Sequence, residues 1–173
     1  LVEYTDSGVG NFAYVDVGGG STEISLLHDG VLAESHSFNI GTLRMLGGAV
    51  SEQELMNMRQ LLEEYAREFP ATKIIGSGGN INRLFRLARL KGPQRELPVE
   101  RLQELYDTLQ ALTVVQRMEQ FKLKEDRADV IVPAAEIFLT VAEALGSESI
   151  IVPNISLADS ITDGIWREVQ MKD

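Results

Sequence analysis

The stretch Val15-Asp16-Val17-Gly18-Gly19-Gly20-Ser21-Thr22-Glu23 constrains this chain more than any other. An apolar run delivers an aspartate, the backbone passes through three consecutive glycines, and two hydroxyls and a glutamate follow. Consecutive glycines cost conformational entropy, and folds retain them where the backbone turns sharply or must approach something closely. Amides exposed in such a turn can cradle a phosphate, and a carboxylate at the end of the preceding strand can hold a divalent cation. The same residues also suit a plain β-hairpin turn with an acid in front of it. Both readings stand for this stretch taken alone.

The chain around it alternates strands and helices. Asn11 to Val17, Thr22 to Leu27 and Val31 to Ile40 read as three strands, the last two joined by the turn signal His28-Asp29-Gly30. Gly41 and Thr42 open a short helical segment bearing Arg44, which Gly47-Gly48 close. Ser51-Glu52-Gln53-Glu54 is a capping box, and Leu55, Met58, Leu62, Tyr65 and Phe69 line one face of the helix that follows, up to Pro70. A short buried strand at Lys73 to Gly76 runs directly into a second glycine turn, Ser77-Gly78-Gly79-Asn80. The helix after that turn carries Ile81, Leu84, Phe85 and Ala88 on one face.

Pro98 suits the first turn of the next helix, whose apolar stripe is Leu102, Leu105, Leu109 and Leu112. Thr113 to Gln116 repeats the capping-box pattern, so a new helix is expected there. A charged loop from Lys122 to Asp126 precedes a long apolar helix, Arg127 to Leu145, expected to kink or restart at Pro133. A strand at Ser149 to Val152 and an amphipathic helix at Ala158 to Met171 complete the order βββ-α-β-α-α-α-β-α. Residues 1–10 read as a linker, and no repeat or low-complexity tract divides the rest. The expectation is one α/β domain: a three-stranded meander plus two further strands, with flanking helices.

Charge bears on what such turns could bind. The chain has 173 residues and a formal net charge of −10, which argues against general nucleic-acid or anionic-membrane binding. A polyanionic substrate would need a cation or a basic partner to offset that charge. There is no cysteine, hence no disulfide, thiolate zinc site or thiol nucleophile. His28 and His36 fall across the expected hairpin and read as surface residues. No apolar run reaches the roughly 20 residues that span a bilayer, and no signal-peptide pattern opens the chain, so the cytoplasm is the default expectation.

In α/β sheets, ligands sit at the carboxyl ends of strands, where both glycine turns fall. The second leads straight into a helix, so Gly78, Gly79 and Asn80 can present amides to an anion; the plain alternative is a helix-opening turn. Neither turn fits the dinucleotide fingerprint, because Glu23 stands where a third spaced glycine belongs, and neither carries the Gly-Lys-Ser/Thr of a Walker loop.

In combination the motifs say more. Asp16 to Glu23, the hairpin, Gly41 to Arg44, Ile75 to Asn80, Arg127 to Ala134, Ile151-Val152-Pro153 and the acidic segment Leu157 to Gly164 follow in order. Together they resemble the exopolyphosphatase / guanosine pentaphosphate phosphatase family, of the actin-like (ribonuclease H-like) ATPase superfold. The resemblance implies that Asp16 is the carboxylate for Mg²⁺ or another divalent cation. It implies that Gly18, Gly19, Gly20, Ser21 and Thr22 form a phosphate loop, and that Glu23 is a catalytic acid helping to hold the metal or the attacking water. Ser77, Gly78, Gly79 and Asn80 correspond to a second phosphate loop, although many relatives have threonine where Asn80 stands. The family's acidic-glycine pair matches either Asp159-Ser160 or Asp163-Gly164. For Arg44 and Arg127, phosphate binding and a surface or interface ion pair both remain open.

Enzymes of that family place the active site between two lobes, the first supplying its own Asp-Gly-Ser loop and a glutamate general base. Here only 15 residues precede Asp16, and Glu3 lies in no matching context. Residues 1–173 are therefore expected to be the second lobe alone, inactive in isolation. The parent would hydrolyse a terminal phosphoanhydride of polyphosphate or the 5′-γ-phosphate of guanosine pentaphosphate. The alternatives are a non-catalytic nucleotide- or alarmone-binding module and a fragment of a sugar-kinase or chaperone ATPase. A homodimer would accord with the resemblance, though the sequence offers no exposed apolar stripe to build one.

Overall fold

The computed structural model describes residues 10–154. Along them run β1 (Asn11–Val17), β2 (Thr22–His28), β3 (Val31–Phe38), α1 (Thr42–Leu46), α2 (Glu52–Glu68), β4 (Lys73–Ser77), α3 (Gly79–Leu87), β5 (Glu96–Pro98), α4 (Val99–Gln110), α5 (Val114–Phe121), α6 (Glu125–Leu145) and β6 (Ser149–Ile151). The helix expected at Ala158 to Met171 and nearly all of the expected linker lie outside the described residues.

The strands form one sheet in the order β3-β2-β1-β4-β6-β5. β1, β2 and β3 pair antiparallel as a meander, while β4 and β6 continue the sheet parallel to β1. Strand side chains alternate between faces, and β1 shows how this one is divided. Ala13, Val15 and Val17 are buried, with Ile24 and Leu26 of β2 and Ile74 of β4 in matching register. Asp16 lies on the opposite face, level with Glu23 of β2 and Ser77 of β4. The expected meander and two further strands are present. The sheet also has a sixth strand that pattern reading missed: β5, three residues long, pairs antiparallel with β6 at the far edge. Pro98 ends that strand and stands at the N-cap of α4, one position outside the helix it was expected to open.

α6 is the hub of the helical layer, packing against α2, α4, α1, α5 and α3 as well as β1. Ile131, Ala134, Ala135, Ile137, Phe138, Val141 and Ala142 on it are fully buried. Each large apolar side chain buried in this way contributes about 1.5–3 kcal/mol. The helix begins at Glu125, inside the expected charged loop, and runs unbroken past Pro133 with no restart. A proline in a helix interior costs about 3 kcal/mol, and the burial of its neighbours outweighs that here. Both predicted capping boxes form. Glu54 N donates to Ser51 Oγ at 3.2 Å while Ser51 N donates to Glu54 Oε2 at 2.9 Å. Thr113 and Gln116 repeat the exchange at the start of α5.

Candidate functional site

The glycine turn at 18–21 is the loop of the β1–β2 hairpin, so the plain hairpin reading is part of the answer. What a hairpin alone does not explain is the hydrogen bonding behind it. Thr42 N donates to the Gly18 carbonyl at 2.9 Å, and Leu43 N and Arg44 N donate to the Gly19 carbonyl at 3.0 and 3.3 Å. Arg44 Nε donates to the Gly20 carbonyl at 2.6 Å. Three successive carbonyls of the loop are thereby turned back onto the start of α1. Gly41 makes this approach possible: a Cβ there would lie 2.6 Å from the Gly20 carbonyl carbon. Gly18 N donates across the turn to the Ser21 carbonyl at 2.9 Å. Among the described residues, the amides of Gly19, Gly20 and Ser21 donate to no carbonyl. A loop with its carbonyls held behind it leaves its amides on the open side, where they could meet an anion.

A row of polar side chains crosses the sheet beside this loop. Ser37 on β3, Glu23 on β2, Asp16 on β1 and Ser77 on β4 stand at successive paired positions, and paired positions share a face. Ser21 Oγ and Ser37 Oγ both donate to Glu23 Oε1, at 2.8 and 2.9 Å. These two bonds fix one carboxylate oxygen and leave Oε2 without a hydrogen bond among the described residues. Burial, and then the charge of Glu23 across the strand pair, push the Asp16 carboxyl above its ordinary value. Two neighbouring carboxylates on one face of a sheet can together hold a divalent cation. Ser37 escaped the sequence reading; its relation to Glu23 depends on the β2–β3 register.

The second glycine turn closes on the first. Gly78 has a φ of +99°, which favours glycine, and a Cβ on it would meet Asp16 Oδ1 at 2.9 Å. The Gly78 carbonyl accepts from Asn82 Nδ2 at 2.8 Å, and α3 begins at Gly79 with no side-chain cap on its first amides. Asn80 Nδ2 donates to the Val17 carbonyl at 2.9 Å, tying the start of α3 to the end of β1. Asp16, Glu23, Gly18 to Ser21 and Ser77 to Asn80 thus meet at one end of the sheet.

Other sequence expectations land elsewhere. Thr22 is fully buried on the core face, where its Oγ1 donates to the Ile40 carbonyl at 2.6 Å. Its side chain cannot line a phosphate loop, which corrects its assignment there; it anchors the start of β2. Arg44 forms no ion pair among the described residues and serves as a brace for the loop. Arg127 lies 3.9 Å from the neighbouring Asp126 on the surface. His28 is half exposed and approaches Asn11 Oδ1 at 2.6 Å, and His36 approaches Glu34 at 3.1 Å, in keeping with surface roles. Asp159-Ser160 and Asp163-Gly164 lie outside the described residues. Among those residues no cluster of three metal-ligating side chains occurs, and no helix is long and apolar enough to cross a membrane.

The sheet order, the braced glycine loop of the first hairpin and the second glycine turn at β4 define a lobe of the actin-like class. The chain belongs to the Ppx/GppA phosphatase family, whose pattern it matches over residues 2–166. The guanosine-5′-triphosphate,3′-diphosphate pyrophosphatase of Aeromonas hydrophila is 23% identical over 95% of this chain, a stretch that makes up 36% of that protein. A solved Ppx/GppA enzyme of Aquifex aeolicus superposes with a TM-score of 0.68 at 26% identity, covering 88% of this chain and 56% of its own. An exopolyphosphatase from Cytophaga hutchinsonii gives a TM-score of 0.68 at 20% identity over 90% of this chain and 58% of its own, a likeness of fold. The chain spans about a third of the length of the curated relatives it matches.

Proposed function

We propose that residues 1–173 form the phosphate- and metal-binding lobe of a two-lobed phosphoanhydride hydrolase that acts on the end of a polyphosphate chain or on guanosine pentaphosphate. One observation carries this reading: two glycine turns, the first with its carbonyls braced backwards, meet around Asp16 at the carboxyl ends of β1 and β4. The family and its phosphatase relatives supply the reaction class.

In this reading the amides of Gly19, Gly20, Ser21, Gly79 and Asn80 hold phosphoryl oxygens, and Ser77 supports them from the end of β4. Asp16 and Glu23 hold Mg²⁺, with Glu23 also orienting the attacking water. The pair suits Mg²⁺, which keeps several waters and takes one or two carboxylates plus substrate phosphates rather than an all-protein cage. When bound, the cation neutralises charge on the phosphoryl oxygens, the main demand of phosphoryl transfer. The cation also neutralises part, at the site itself, of a net charge of −10 that would otherwise repel the substrate. The general base comes from a second lobe, outside these residues.

Purified 1–173 is expected to bind Mn²⁺, as a probe for Mg²⁺, through Asp16 and to release no phosphate from polyphosphate or guanosine pentaphosphate. Robust hydrolysis by the purified chain, abolished by Asp16→Ala, would overturn the two-lobe assignment. Nucleotide binding with no response to polyphosphate would favour a binding module instead.

A further inference from the structure

Arg83, on the second turn of α3, is an arginine in an unfavourable place. It stands four residues after Gly79, the first residue of the helix, and helical side chains lean toward the N-terminus. Its guanidinium accordingly lies over the glycine turn, with Nη2 3.7 Å from where a Cβ on Gly79 would sit. The positive end of the helix dipole repels a cation there. Nη1 is buried and has no hydrogen-bond partner among the described residues.

The other partly buried arginines are satisfied. Arg95 donates to the Val152 carbonyl and to Asn82, Arg101 to the Ala88 carbonyl and Glu104, and Arg117 to the Leu109 and Ala128 carbonyls. Around Arg83 the field is of like sign. Burial first, then Arg127 and Arg86, push its pKa down, and only Asp126 opposes them. A chain with 26 acidic residues had carboxylates to spare, yet none pairs with Arg83 among the described residues. A guanidinium whose Nη1 no carboxylate or carbonyl has claimed, and whose Nη2 edge overlies the Gly79 turn, is uncommitted and can offer that edge to an anion.

We propose that Arg83 is a substrate-binding residue of the second glycine turn, the Nη2 edge of its guanidinium taking a phosphoryl oxygen of a condensed phosphate seated on Gly79 and Asn80. The proposal rests on the lobe assignment above and adds to it a residue that the sequence motifs do not mark. Arg86 and Arg127 raise the positive potential around Arg83. The ligand class is a condensed phosphate, and inorganic tripolyphosphate is the probe.

The test compares the purified chain with its Arg83→Gln, Arg83→Lys and Asp16→Ala variants by thermal melting and calorimetry, with tripolyphosphate in the presence of Mg²⁺. At a hundredfold excess over Kd, tripolyphosphate is expected to raise the melting temperature of the wild-type chain by about 5–10 °C. Arg83→Gln should weaken tripolyphosphate binding about 10- to 100-fold, the usual loss for a charge-assisted bond, and Arg83→Lys should retain part of it. Without anion, Arg83→Gln should melt at or above the wild-type temperature, because it removes an unmet cation. A lower melting temperature for Arg83→Gln and Arg83→Lys without anion would make the residue structural and overturn the proposal. So would unchanged tripolyphosphate affinity in Arg83→Gln while Asp16→Ala abolishes it, an outcome that leaves the lobe assignment standing. Absence of any tripolyphosphate response in the wild-type chain would bring down both.

Discussion

Asp16 illustrates how a binding residue can cost its own fold stability. Burial and Glu23 raise its pKa in the folded state, so the folded chain holds that proton more tightly than the unfolded chain does. Ionised Asp16 therefore lowers stability at neutral pH, and the penalty fades as pH falls through the folded midpoint toward the ordinary aspartate value of about 3.9. Asp16→Asn should melt above wild type at pH 7 in chelator, with the two melting temperatures converging below about pH 4. A variant that melts lower at pH 7 would show that the carboxylate is stabilised by something other than a bound cation. Glu23 is held differently, by two serine hydroxyls on one oxygen. Ser37→Ala removes one of these bonds, worth about 1 kcal/mol, and should weaken Mn²⁺ binding about fivefold. Ser37→Thr should keep the affinity, and a Mn²⁺ titration of the three proteins decides. Asp16 and Glu23 were legible in the sequence because a strand, a glycine run and an acid are adjacent in the chain. Ser37 was not, because a loosely alternating edge strand does not reveal which of its serines faces Glu23.

Among the elements, α1 has the least intrinsic reason to exist. Five residues cannot sustain a helix in water, and this one is held because its first amides meet the carbonyls of Gly18 and Gly19. Loop and helix stabilise each other, and Gly41 is where they touch. Gly41→Ala should cost about 1–3 kcal/mol by overpacking and should weaken tripolyphosphate binding as well, since the loop must move to admit the methyl group. Loss of stability with intact binding would show that the loop keeps its shape without the brace. The capping boxes at Ser51 and Thr113 could be read because they are local, written within four residues. The unbroken α6 and the strand β5 could not. Pro133 is carried by burial against helices distant in sequence, and β5 exists only as a partner for β6.

For the molecule as a whole, the class of fold was plain from the order of its elements. A meander followed by helix–strand repeats leaves few sheet topologies, and β1 between β2 and β4 is one of them. The meeting of the two glycine turns follows from that topology: β1 and β4 are parallel neighbours, so their carboxyl ends lie side by side. Thr22 was read with the glycine loop because it adjoins that loop in the chain. Alternation along β2 sends Glu23 to the site and Thr22 to the core. The distribution of charge was hidden as well. A chain with a net charge of −10 gathers Arg83, Arg86 and Arg127 in one neighbourhood, which composition averages away. Purified 1–173 in chelator should therefore bind tripolyphosphate more weakly than in Mg²⁺, with the remaining affinity falling steeply as salt is added.

The backward pull on the loop carbonyls also determines the sign of what the loop can attract. Each peptide unit is a small dipole, and rotating the unit between Gly19 and Gly20 would exchange a donor for an acceptor on the open side. Glycines resist such a rotation less than any other residue. Released from Leu43, Arg44 and the Arg44 guanidinium, the same sequence could face outward with oxygens and become a weak seat for cations. In this hairpin, the choice between the two polarities rests on a five-residue helix and one arginine behind the loop.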